Sequence, residues 1–199
     1  SATMEMIDVS RIPLDPPRTL LYRAIEWFSR RSFGAVADPL PVMGHNRQVL
    51  MTDLRFEQSV AKWKHLDPTL KAIAVMAAAV QIGCSWCVDF GYWISTEQGV
   101  DQAKLRAVPT WHESDVFTDL ERDVLAYAEA VTATPPTVTD EMVAGLRRHL
   151  DDAALVELTM IVAVENIRSR FNSAMGLTSQ GFKDRCELAA TPAGHASAS

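Results

Sequence analysis

The sequence predicts an all-α fold, on three observations. Apolar residues recur at helical spacing along most of the chain, and no run alternates with the two-residue period of a strand. The periodic segments are also bracketed by helix start and stop signals. About seven or eight helices joined by short polar loops account for the pattern.

Taken in order, Pro16-Pro17 lead into a helix over 18–31, where Leu20, Leu21, Ala24, Ile25 and Phe28 recur at helical spacing. Gly34 and the Pro39/Pro41 stretch then break the chain. A second helix covers 46–63. Asp67 offers an N-cap carboxylate and Pro68 a first helical residue for a helix reaching Ile82. That helix is apolar almost all round, so it is expected to be buried on most sides. Gly83 interrupts it, and the next helix opens near Cys84 and stops before Gly99, a C′ glycine. Asp101 caps a short helix through Arg106, and Pro109 marks a loop that includes Trp111. Thr118 and Glu121 fit a capping box for a helix to about Thr132. After the Pro135-Pro136 connector, Thr139 or Asp140 starts a helix to Leu150. Asp151 and Asp152 cap the longest candidate, over 153–175, which Gly176 closes.

A chain of 199 residues makes one domain or two small helical halves, and it can hold a core without staples. With 19 basic against 25 acidic residues the formal charge is −6, which argues against a nucleic-acid partner. A hydrophobic share of 48% excludes a disordered chain. The start, SATMEMIDVSRIPLD, has no signal-peptide core, and the apolar runs 72–80 and 158–164 are shorter than the ~20 residues of a membrane span. No membrane partner is expected, and the cytoplasm is the expected location. Ser1-Ala2-Thr3 ahead of Met4 read as an expression scar, and residues 187–199, small and polar, as a disordered tail.

Three cysteines do not form a disulfide framework. Two of them, Cys84 and Cys87, stand at i and i+3 on one helix face, close enough to bridge within a turn. At a helix N-terminus the macrodipole favours the Cys84 thiolate. A thiolate beside a resolving thiol is the minimum apparatus for reducing a peroxide or exchanging with a disulfide. Two buried small hydrophobes would produce the same spacing. Zinc needs about four ligands, and Cys186, His45, His65, His112, His149 and His195 are not at ligand spacing. No metal or other cofactor is expected.

The chain around this pair resembles a known family. The Ala-rich segment Lys71–Ala79 precedes the glycine and the CxxC, and Trp111, Ser114, Phe117 and the run Asp119–Glu129 follow. Leu155–Thr159, Asn166 and Ser169-Arg170-Phe171-Asn172 complete the pattern. Together, over about 66–176, these are similar to the carboxymuconolactone decarboxylase superfamily, in the branch of alkylhydroperoxidase D. The resemblance implies an alkylhydroperoxidase D-like helical bundle that oligomerises, with Cys84 and Cys87 as catalytic residues. It divides the chain into an N-terminal helical region and arm (1–65), a core (66–176) and a C-terminal extension and tail (177–199).

The resemblance fails at the proton relay. Alkylhydroperoxidase D uses a glutamate on the preceding helix and a histidine one turn after the second cysteine; Ala72 and Gly91 occupy those places here. A histidine found within some CxxC motifs of the family is Trp86. Asp89 projects about 140–160° away from either thiol around the helix and reads as a solvated or salt-bridged surface acid. Tyr92 is poorly aimed as well. Glu26, His45, Glu57 and His112 are the candidate replacements from other elements, each with an ordinary surface or capping role as its simpler reading. Arg170 reads as a buried ion-pair partner rather than a substrate clamp, and Cys186 as a bystander. Trp86, Phe90, Tyr92, Trp93 and Trp111 read as core and subunit packing, with an apolar pocket wall as the alternative.

The expected function is a CxxC thiol oxidoreductase that reduces peroxides or disulfides. Its partners are a dithiol electron-donor protein or small thiol, a small apolar substrate, and further copies of the chain. Without a base, a thiol of pKa about 8.5 is only a few per cent ionised near pH 7, so the centre is expected to be slow. Two alternatives stay open: a non-enzymatic oligomer that lost the relay, and a decarboxylase or lactone-processing member of the superfamily.

Overall fold

In the computed structural model, which describes residues 10–190, the chain is all-α. Among the described residues the order is α1 (Leu20–Phe33), α2 (Pro39–Gly44), α3 (Arg47–Val60), α4 (Pro68–Ile82), α5 (Ser85–Glu97), α6 (Gln102–Ala107), a 3₁₀ turn (Val108–Glu113), α7 (Asp119–Thr132), α8 (Asp140–Leu146), α9 (Asp152–Ala174) and α10 (Phe182–Ala190). The expected scar at Ser1-Ala2-Thr3, His195 and the last nine residues lie outside the described residues.

Two helices go beyond the expected set. The Pro39/Pro41 stretch does not break the chain but starts α2, because proline is tolerated in a first turn whose N–H groups have no helical acceptor. Residues 187–190, read as tail, complete α10. Elsewhere local signals hold. Asp67 Oδ1 caps α4 by accepting from Thr69 N and Leu70 N, and Thr118 and Glu121 form the capping box of α7. α8 ends at Leu146, short of Leu150, and Trp111 lies in the 3₁₀ turn rather than an open loop.

The chain divides into two compact units. One comprises the residues up to Trp63 together with 171–178. In it, buried Ser29 donates to Ala35 O (3.0 Å) and accepts from Ala37 N (3.2 Å), which fixes the turn between α1 and α2. Pro16 packs so closely on Gly44 that a Cβ there would lie 2.8 Å from its Cγ.

The other unit comprises 64–170 and the residues from Ser179 onward. Its centre is α4, which is apolar on nearly every side and packs against α5, α6, α7 and the 3₁₀ turn. Ile73, Ala74, Ala78 and Ala79 have no exposed surface. Small alanines let neighbouring backbones approach closely, and the burial of so many methyl groups is what holds this unit together. Polar ties brace it. Lys71 Nζ meets Glu157 Oε1 at 2.5 Å, and Tyr127 Oη meets Thr159 Oγ1 at 2.8 Å. Among the described residues, no helix is long and apolar enough to cross a membrane.

Candidate active site

The link between α4 and α5 consists of Gly83 and Cys84 alone. Gly83 takes the left-handed conformation (φ 81°, ψ 28°) that a side chain would resist. Its N–H donates to Val80 O (3.1 Å), and Cys84 N–H donates to Ala79 O (3.0 Å). These are the paired bonds of a Schellman motif, so the Ala79 and Val80 carbonyls are satisfied where the chain leaves α4. Cys84 is extended and serves at once as the N-cap of α5. Its sulfur accepts from Cys87 N at 3.2 Å, as a serine oxygen would at the same position.

Cys84 and Cys87 form a disulfide across the first turn of α5, with Cα atoms 5.3 Å apart. The two cysteines are 1% and 5% exposed. Both therefore sit in an enclosed place next to the positive end of the α5 dipole.

The places of the missing relay are filled by packing. Ala72 is buried on α4. One turn later Met76 reaches α5, and a Cβ at Gly91 would lie only 3.0 Å from Met76 Sδ. A thioether thus takes the space that a histidine side chain would need, and neither residue can carry a proton.

Asp89 is not a surface acid. It is 5% exposed, and its carboxylate accepts three backbone N–H groups, from Gln180 (2.8 Å), Phe182 (3.0 Å) and Lys183 (2.7 Å). It therefore caps α10 from the middle of α5. The face that carries Asp89 is covered by the C-terminal segment rather than by water. Trp86, between the two cysteines, donates its indole N–H to Gln180 Oε1 (2.7 Å).

The aromatic group divides in two. Trp86 stacks on Phe90 (4.9 Å between centroids), and Phe182 packs edge-on against both. Trp93 closes the cluster at 5.4 Å from Phe182. Lys183 Nζ lies 5.0 Å over the Tyr92 ring, whose hydroxyl points to Gln102. Trp111 stands apart, donating to Glu129 Oε1 (2.7 Å) and stacked on His112. Most of these rings hold α10 to α5.

The other candidates have structural partners. Glu26 pairs with Arg30 (3.1 Å), His45 Nε2 bonds to Pro13 O (2.8 Å), and His112 Nε2 faces Glu129 Oε2 at 3.3 Å. Glu57 lies on α3. Arg170 is exposed rather than a buried ion-pair partner, and it bonds to Thr132 O and Thr134 Oγ1 at the end of α7. Cys186 is buried on α10, outside the disulfide. Gln180 and Phe182 were not singled out in the sequence. The signal available for them was a large aromatic directly after Gly181, inside a stretch otherwise small and polar.

The carboxymuconolactone decarboxylase family model matches residues 49–130, which include α4, the cysteine pair and most of α7. The uncharacterised protein YnjA of Escherichia coli K12 is 34% identical over 180 residues, 90% of this chain and 96% of its own. Among solved structures, the alkylhydroperoxidase AhpD core protein of Ralstonia eutropha JMP134 superposes with a TM-score of 0.77 at 17% identity, over 88% of this chain and 95% of that one. A cysteine-to-alanine variant of the debrominase Bmp8, in complex with 2,3,4-tribromopyrrole, gives 0.75 at 22% identity, over 90% and 98%. These two likenesses are of fold. With the relative in Escherichia coli matched along almost its whole length, and with the helices and the CxxC turn in place, the chain belongs to the carboxymuconolactone decarboxylase family.

Proposed function

We propose that this protein is a thiol oxidoreductase in which Cys84 and Cys87 cycle between dithiol and disulfide. The observation that carries the reading is the pair itself, bonded across the first turn of α5 with the Cys84 sulfur at the N-cap. With a hydroperoxide as oxidant, one thiolate attacks the peroxide oxygen, forming a sulfenic acid and releasing an alcohol. The second thiol condenses with it, forming the disulfide and releasing water. A donor dithiol then exchanges with the disulfide, restoring both thiols and becoming oxidised itself.

The surroundings of the sulfurs set the pace. The α5 N-terminus contributes about 0.3–1 kcal/mol toward the thiolate, less than one pKa unit. Ala72 and Gly91 supply no base at the family's positions, so reaction with peroxide is slow near neutral pH and accelerates as rising pH ionises more of the thiol. The test is peroxide-dependent loss of thiols in the reduced protein, compared with Cys84→Ser and Cys87→Ser. The expected result is two thiols lost per peroxide and no disulfide in either variant; equal rates in all three proteins overturn the reading. A brominated pyrrole belongs in the substrate panel because the debrominase that shares this fold binds one.

The burial of both cysteines favours a second reading, a relative that kept the fold and lost the chemistry. In that case native Cys84 and Cys87, once reduced, resist thiol reagents and can be replaced without functional loss. Rapid labelling of the reduced native protein excludes it.

A further inference from the structure

The disulfide joins Cys84 and Cys87 symmetrically, but the main chain treats their sulfurs differently. Cys84 is pinned through both of its peptide groups. Its N–H donates to Ala79 O (3.0 Å) where α4 ends, and its carbonyl accepts from Val88 N (3.0 Å) where α5 begins. Its Sγ in turn accepts from Cys87 N at 3.2 Å. None of these bonds depends on the S–S bond, so opening the disulfide leaves the Cys84 sulfur at the N-cap. As a thiolate it holds the same N–H more tightly, since a hydrogen bond to a charged acceptor is about twice as strong as a neutral one.

Cys87 is placed otherwise. It is the third residue of α5, and its N–H is the donor to Cys84. Position 91 lies one turn further on, on the Cys87 side of the helix, so a base there would serve Cys87 rather than Cys84. Gly91 supplies none, and a Cβ there would already lie 3.0 Å from Met76 Sδ. The support of the Cys84 thiolate is therefore main chain, and it does not depend on which side chains stand at 72 and 91. Access does not choose between the sulfurs, because at 1% and 5% exposed both are enclosed. The choice falls to which of them better holds a negative charge.

We propose that Cys84 is the attacking thiolate of the pair and Cys87 the resolving thiol. The assignment rests on the thiol cycle proposed above and gives each sulfur its step. The Cys84 thiolate attacks the distal oxygen of a hydroperoxide and the O–O bond breaks. Cys84 becomes a sulfenic acid, and the departing alkoxide takes a proton from water. The Cys87 sulfur then attacks the Cys84 sulfur, and the S–O bond breaks with hydroxide leaving as water on the Cys87 proton. In reduction a donor thiolate attacks Cys87 Sγ, and the electron pair of the S–S bond leaves on Cys84, the better leaving group. The second donor thiol attacks the donor sulfur of this mixed disulfide, so that Cys87 departs as a thiol and the donor as a disulfide.

The test locates the sulfenic acid. Residue 87 keeps its N–H in both Cys87→Ser and Cys87→Ala, and serine at 84 is itself a favoured N-cap, so Cys84→Ser keeps the cap. The reduced full-chain variants are treated with cumene hydroperoxide at pH 7 and dimedone, which adds to sulfenic acids. Fragmentation mass spectrometry then assigns the adduct to 84, 87 or 186. The expected result is an adduct on Cys84 in both Cys87 variants, forming about threefold faster than the adduct on Cys87 in Cys84→Ser. The factor is modest because a thiolate about tenfold more populated is about threefold less nucleophilic. An adduct on Cys87 that forms as fast or faster overturns the assignment and leaves the dithiol cycle standing. No peroxide-dependent loss of thiols in the unsubstituted protein overturns the cycle, and the assignment with it. Glutathione added to the disulfide form and quenched with acid is expected on Cys87; a mixed disulfide on Cys84 overturns the assignment as well.

Discussion

The two faces of α5 treat their polar groups in opposite ways. On one, the Cys84 and Cys87 sulfurs stand at the helix start, and Met76, Ala72 and Gly91 leave no proton-transferring side chain at the family's relay positions. On the other, Asp89 is equally buried but accepts three backbone N–H groups, and Trp86 is bonded to Gln180. The lesson is that burial alone does not mark a reactive group. A carboxylate saturated with donors is a fastener, whereas the two sulfurs are held by each other and by the Cys87 N–H.

The largest effect is expected from breaking the fastener. In Asp89→Ala, three donors at the start of α10 lose a charged acceptor, each worth about 1.5–3 kcal/mol when removed. Local opening of α10 limits the loss to less than the sum of the three. Hydrogen exchange should show protection lost over 180–186 and retained in α4; an unchanged α10 would mean that the aromatic cluster holds it alone.

The thiol side can be altered in the opposite sense. Gly91→His by itself drives a Cβ against Met76 Sδ and should cost about 1–3 kcal/mol. Combined with Met76→Ala, which clears the space, it returns an imidazole to the family's position. Thiol oxidation by peroxide should then rise toward the ~10²-fold at the lower end of general-base catalysis. A double variant with the original rate would show that the missing histidine is not what slows the centre.

A smaller change tests the turn that places Cys84. Gly83→Ala meets no atom within 4 Å, so its cost is that of the left-handed backbone alone, about 1–2 kcal/mol. Denaturant unfolding measures it, and Gly83→Asn should recover part of the loss, because asparagine tolerates this conformation better.

The smallest effect serves as a control away from α5. Burial pushes the Glu157 carboxyl up, but the bond from Lys71, the N–H groups of His65 and Leu66 and the Lys71 charge together outweigh it and hold it below its ordinary value. A carboxyl depressed on folding contributes stability that is present above its unfolded pKa, about 4.3, and is lost as pH falls through its folded pKa. Glu157→Gln should therefore lower stability at pH 7 and flatten its decline between about pH 5 and 3. Parallel curves for the two proteins would assign the acid sensitivity to other carboxylates.

Much of the scaffold was legible because its signals act over a few residues. Asp67-Pro68, Gly83, Gly99 and the Thr118–Glu121 box each settle a local backbone question, and each stands where expected. The CxxC was legible for the same reason, since one turn brings its two sulfurs together. Asp89 was not, because its partners lie about ninety residues further along the chain and are backbone groups without a sequence signature. α2 was hidden by reading its prolines as breakers when their position made them starters.

By itself, then, the sequence determined an all-α protein with a cysteine pair at a helix start and without the family's acid and base at their usual places. Those features depend on spacing of 3.6 residues per turn and on side chains that are either present or absent. Only the tertiary structure decided that Met76 fills the place of the histidine and that Asp89 binds the C-terminal helix. Each of these depends on which distant segments share a face, and the free energy of that packing is set by contacts that no local pattern encodes.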